Sequence, residues 1–171
     1  MAKRPKSVKT VRRSFTIWTD GGCKPNPGVG GWGALIRDAA GKESELSGGR
    51  HTTTNNRMEL TAAVVALETV GDVDEKTDLI VYTDSTYVQN GVTRWYRNWV
   101  RNNWVTQMGA PVANSELWRR LLEATKRHRI QWRWVKGHSG VPENERVDQL
   151  ATVARERVAA MPEDTLDYTF F

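Results

Sequence analysis

The chain has a single cysteine, Cys23, among its 171 residues. A lone thiol closes no internal disulfide and builds no thiolate metal cluster, so a reducing, cytoplasmic setting is expected. The three histidines, His51, His128 and His138, lack zinc-site spacing. No apolar run approaches the ~20 residues that cross a bilayer, and no apolar signal core stands near the start, so no membrane association is expected. Acidic residues are scarce in one region. From Arg94 to Lys136 only Glu116 and Glu123 face ten Lys and Arg, a larger excess than the net charge of +5 for the whole chain. Such a basic stretch suits a polyanionic partner.

A hydrophobic fraction of 39% and a charged fraction of 26% describe one globular domain of ordinary size. Residues 1–13 hold six Lys or Arg and read as a basic flexible arm. Residues 14–160 read as the folded domain, and 161–171 as an acidic and aromatic tail after Pro162.

Alternation predicts strands over Ser14–Thr19, Gly31–Arg37 and Lys42–Gly48, with a glycine-rich turn beginning at TDGG. Thr54 or Asn55 can cap a helix whose stripe is Met58, Leu60, Ala63, Val64 and Leu67, ending at Gly71. Asp78–Thr83 reads as a buried central strand. Ser85–Arg101 is expected to be helical but broken at Gly91. Asn114 or Ser115 should cap a helix over Glu116–Arg127, Ile130–Val135 forms a further strand, and Pro142 opens a last helix.

Four acids stand in distinctive settings: Asp20 in TDGGCKPNPG, Glu59 in TTTNNRMEL, Asp84 in VYTDSTYV and Asp148 in ENERVDQLA. Two are expected at carboxyl ends of strands, where open α/β sheets gather ligands, and two near helix starts. Two carboxylates about 4 Å apart repel by roughly 4 kcal/mol at an effective dielectric near 20. A divalent cation with hard oxygen ligands removes that conflict, and Mg²⁺ fits a site without Cys or His. With two such ions, one activates a water and the other stabilises the leaving oxygen of a phosphodiester.

These motifs resemble the type 1 ribonuclease H enzymes of bacteria, in the order TDG, TTNNRMEL, YTDS and VKGHSGVPENERVDQLA, from about Phe15 to Ala160. The resemblance implies an α/β ribonuclease H-like fold over 14–160: a mixed five-stranded sheet, three antiparallel strands then two parallel, flanked by helices on both faces. It implies that Asp20, Glu59, Asp84 and Asp148 hold two Mg²⁺ ions, with Mn²⁺ as a substitute, and cut the RNA strand of an RNA–DNA hybrid. Products would carry 5′-phosphate and 3′-hydroxyl ends. His138 in KGHSG becomes an auxiliary group for proton transfer or product departure.

Sensing 2′-hydroxyls across a shallow minor groove calls for short polar groups, and Asn26, Asn55, Asn56 and the backbone at Cys23 match the family's contacts. Thr54 and Asn114 match positions that hold a phosphate of the DNA strand. Trp95 and Trp99, one helical turn apart among Arg94, Arg97 and Arg101, suit nucleic-acid contact, whereas Trp118, Trp132 and Trp134 are expected in the core. Thr52 stands where relatives often have Arg, so the phosphate pocket would be weaker or would borrow Arg50. A monomer acting on R-loops and primers, beside replication or repair proteins, completes the expectation. Transposase-like enzymes on the same sheet, or a hybrid-binding protein without catalysis, are the alternatives.

Overall fold

The computed structural model describes residues 12–70 and 77–171. Gly71, the expected helix stop, and residues 1–11 of the expected arm lie outside them. Six strands form one sheet in the order β5-β4-β1-β2-β3-β6. They are β1 (Ser14–Cys23), β2 (Gly28–Asp38), β3 (Glu43–Thr53), β4 (Thr77–Thr83), β5 (His128–Trp134) and β6 (Tyr168–Phe170). The first three make an antiparallel meander, and β4 and β5 add in parallel. The helices are α1 (Asn55–Val70), α2 (Thr86–Asn90), α3 (Tyr96–Arg101), α4 (Ser115–Thr125) and α5 (Pro142–Ala159).

Side chains alternate across β1 and place helices on both faces. Ile17 joins the main core with Met58, Leu67, Leu79, Trp118 and Leu121 of α1, β4 and α4. Its neighbour Trp18 points the other way, to Leu35 and to Val147 of α5. The buried surface of α1 is wider than the predicted stripe, since Ala62, Ala66 and Val70 are buried too. A helix covered by the sheet on one side and by α4 on the other has little face left for water.

The sixth strand is an addition to the expected five. It comes from the segment read as a tail and pairs antiparallel with β3 over Ser47–Gly49. Tyr168 meets His51 edge-on, the Arg157 guanidinium lies 3.9 Å from the centroid of the Phe170 ring, and Arg50 reaches Asp167 at 3.3 Å. Arg50 is thus engaged by the C-terminal segment.

Four local expectations are corrected. The TDGG segment does not turn: β1 continues to Cys23, paired with β2 through Gly30. Gly91 does not break the helical run, which passes from α2 through a π turn over Gly91–Trp95 into α3. The glycine serves packing, because a β-carbon there would lie 2.5 Å from Cζ2 of Trp118. Asn114 precedes α4 without a side-chain cap, at a left-handed φ of 56°. Trp134 is not a core residue but 48% exposed, because it ends β5 beyond the cover of α4.

Candidate active site

The parallel pairing of β1 with β4 ends at Thr19 opposite Thr83. Asp20, still within β1, and Asp84, just past the end of β4, are the next residues on the two strands, so they stand side by side at the carboxyl end of β4. Glu59 enters from the second turn of α1. One carboxylate oxygen from each of Asp20, Glu59 and Asp84 lies within 4.8 Å of the other two. Asp148, in the second turn of α5, stands at the wall of the same cavity of about 420 Å³, which His138, Asn55 and Asn56 also line.

Burial and mutual repulsion govern these acids. Asp20 is only 7% exposed. Its pKa is pushed up to about 8, first by burial, then by the charges of Asp84 and Asp148. Glu59 is held well above the usual carboxylate range by burial and by Asp20 and Asp84, and its Oε2 is buried without a hydrogen-bond partner. Burial raises Asp84 as well, opposed by the Asn144 amide and the His138 charge. Three close carboxylates, one with a partnerless buried oxygen, form a donor set that fits a hard divalent cation and can hold one.

The backbone around Asp84 is fixed from β5. Val135 N–H donates to Thr83 O at 2.9 Å, closing the β4–β5 ladder. The next acceptor along the chain, Asp84 O, takes the Trp134 indole N–H at 2.9 Å. From the other side comes Asn144, 3% exposed in the first turn of α5, whose amide favours the charged form of Asp84. From the sequence Trp134 is expected only in the core, and Asn144 is not singled out. The spacing held the signal for Asn144, which sits four residues before Asp148 on one helix face; Arg155, seven residues after Asp148, shares that face and lines the cavity.

His138 is exposed at the cavity, with φ 52°. Cys23, Asn26 and Asn55 form one hydrogen-bonded unit. Cys23 N–H donates to Asn55 Oδ1 at 2.7 Å, and Asn26 Oδ1 accepts from Asn55 N–H and from the Cys23 thiol, both at 3.2 Å. Thr54 Oγ1 accepts from Arg57 N–H at 3.2 Å, the cap expected for α1. Asn114 lies apart from the acids, accepting from Arg57 and donating to the Tyr87 hydroxyl. Trp95 is 38% exposed. Trp99 is partly buried, its ring tilted against those of Trp95, Trp104 and Trp118.

Clustered acids at the carboxyl edge of a mixed sheet, with a basic and aromatic helix nearby, define a metal-dependent nuclease class. The RNase H family profile matches residues 12–156. The ribonuclease H of Acidiphilium cryptum (strain JF-5) is 57% identical over 149 residues, 87% of this chain and 91% of that protein. That of Gluconobacter oxydans (strain 621H) is 60% identical over 149 residues, 86% and 95% of the two chains. Among solved structures, LC9-RNase H1, a type 1 RNase H with the type 2 active-site motif, superposes with a TM-score of 0.76 at 29% identity, covering 88% of this chain and 75% of that one. LC11-RNase H1 in complex with RNA/DNA hybrid superposes at 0.63 with 25% identity, covering 85% and 99%. The chain belongs to the RNase H family.

Proposed function

We propose that this chain is an endoribonuclease that hydrolyses the RNA strand of RNA–DNA hybrids, leaving 5′-phosphate and 3′-hydroxyl ends. The observation that carries the reading is the set of three carboxylate oxygens within 4.8 Å of one another. Asp20, Glu59, Asp84 and Asp148 would hold two Mg²⁺ ions, with Mn²⁺ able to replace them. Bound there, the cations supply the charge that activates a water and stabilises a leaving oxygen. Burial of Asp20 and Glu59 keeps competing water from those carboxylates and aims their oxygens into one cavity.

His138 stands where it can exchange a proton with solvent as the product departs, without being needed to bind metal. The Cys23–Asn26–Asn55 unit and Asn56 offer backbone and amide groups to the minor groove, which suits recognition of 2′-hydroxyls. Thr54 and Asn114 receive a phosphate of the DNA strand. Trp95 contacts the hybrid with Arg94, Arg97 and Arg101, and Trp99 contributes to that contact from beneath. A monomeric, cytoplasmic enzyme acting on R-loops and primers, organised as arm, catalytic domain and C-terminal segment, completes the reading.

Labelled hybrid, double-stranded RNA and double-stranded DNA, incubated with and without Mg²⁺, test it. Cutting of the hybrid's RNA strand alone, dependent on Mg²⁺ and lost in Asp84→Asn, is expected. Cutting of double-stranded DNA, or hybrid binding without cutting by the unaltered chain, would replace it with one of the two rival classes.

A further inference from the structure

Four arginines among the described residues are half-buried: Arg37, Arg50, Arg57 and Arg155. The first three each have a carboxylate partner, in Glu43 and Glu143, in Asp167 and in Glu116. Arg155 has no ion pair among the described residues. A guanidinium drawn partly out of water without an anion costs free energy, and a partner is expected where the protein works.

Its position indicates what that partner is. Asp148, Ala151, Thr152 and Arg155 follow one another at helical spacing on the face of α5 that lines the cavity. Seven residues of helix separate Asp148 from Arg155 by about 10 Å. Arg155 therefore stands at the far side of the cavity from the acids, near Cys23, whose thiol feels its charge. Asn55 and Asn56 line the cavity with it. The acids repel phosphate oxygens; a cation about two helical turns away draws the backbone into the cleft. Arginine suits the task, since its planar fork matches phosphate oxygens.

Resting on the reading that the chain binds a hybrid, we infer that Arg155 is a substrate-binding residue that holds a non-scissile phosphate of the hybrid inside the active-site cavity. It is not a catalytic group, and it stands about two helical turns from Asp148 rather than against the carboxylates as a counter-charge.

The test compares the unaltered chain with Arg155→Ala and Arg155→Lys. Fluorescence anisotropy measures binding of a labelled hybrid without divalent cations across a salt series, so that no cleavage occurs. Cleavage kinetics and calorimetric titration with Mg²⁺ alone complete the set. Arg155→Ala should weaken hybrid binding about tenfold at low salt and lower the slope of log affinity against log salt by about one. KM should rise with kcat within about twofold, Mg²⁺ affinity should be unchanged, and Arg155→Lys should recover part of the loss. An unchanged salt slope with unchanged KM overturns the inference. So does tighter Mg²⁺ binding in Arg155→Ala with hybrid affinity intact, which makes Arg155 a counter-charge to the acids. Failure of the unaltered chain to bind or cut hybrid would instead count against the functional reading, a separately visible outcome.

Discussion

Gly21 lies flush against the backbone of Glu59: a β-carbon at position 21 would stand 2.5 Å from the Glu59 nitrogen. That contact sets how closely α1 approaches β1, and so how close Glu59 comes to Asp20. Any larger residue must push the helix away, and overpacking of this kind costs about 1–3 kcal/mol. Gly21→Ala should therefore lower stability by that amount in chemical denaturation. It should also cut hybrid cleavage by more than about tenfold, because a displacement near 1 Å is costly at a reacting centre. Full activity with unchanged stability would show that the close approach does not set the geometry of the acids.

Trp134 ends β5 half-exposed, yet its indole N–H holds the Asp84 carbonyl at 2.9 Å. Trp134→Phe keeps the ring and removes the donor. Loss of one such bond is worth about 0.5–1.5 kcal/mol, so kcat should fall about three- to tenfold with KM for the hybrid within about twofold. More Mg²⁺ should be needed for half-maximal rate. A change confined to KM would mean that the ring stacks on nucleic acid instead.

His138 occupies a left-handed backbone conformation, φ 52°, which Asn tolerates better than Ala. His138→Asn is thus the cleaner substitution. Proton transfer by a positioned side chain is typically worth about 10²–10⁴-fold at most, and an auxiliary exposed group less. Turnover should drop by about ten- to a hundredfold, with Mg²⁺ affinity by calorimetry unchanged. Loss of Mg²⁺ binding would place His138 among the metal ligands.

The acids and the meander were legible because each depends on short-range pattern: alternation at Ile17 and Trp18, a cap at Thr54, and the end of β4 after Thr83. What escaped depends on distant partners. Residues 168–170 become a strand only because β3 presents a free edge there, with His51 and Arg50 beside it. Gly91 carries the signature of a helix breaker, but its lack of a side chain is matched to Trp118, 27 residues away. Trp134 follows the alternation that half-buries Ile130 and Trp132, and only the outline of the helical layer leaves it uncovered. Asn144 and Arg155 share the helix face of Asp148, a relationship visible in their spacing once one member is known to line a cavity.

The proposed site has Asp20, Glu59, Asp84 and Asp148 sharing a pocket that bound cations make tolerable, and the pH dependence of stability reads out that repulsion. The folded pKa of Asp20 is about 8, against 3.8 for the free side chain. Between those values the folded state holds a proton that the unfolded state releases, so stability falls as pH rises from about 4 to about 8. Glu59 and Asp84, also raised, act in the same direction. The thermal midpoint of the metal-free protein should be lower at pH 8 than at pH 5, and Mg²⁺ should raise it far more at pH 8. Asp20→Asn should flatten the metal-free profile, stabilise the protein at pH 8 and abolish cleavage. Equal Mg²⁺ shifts at both pH values, with Asp20→Asn no more stable than the unaltered chain at pH 8, would show that the acids carry no mutual repulsion for a cation to relieve.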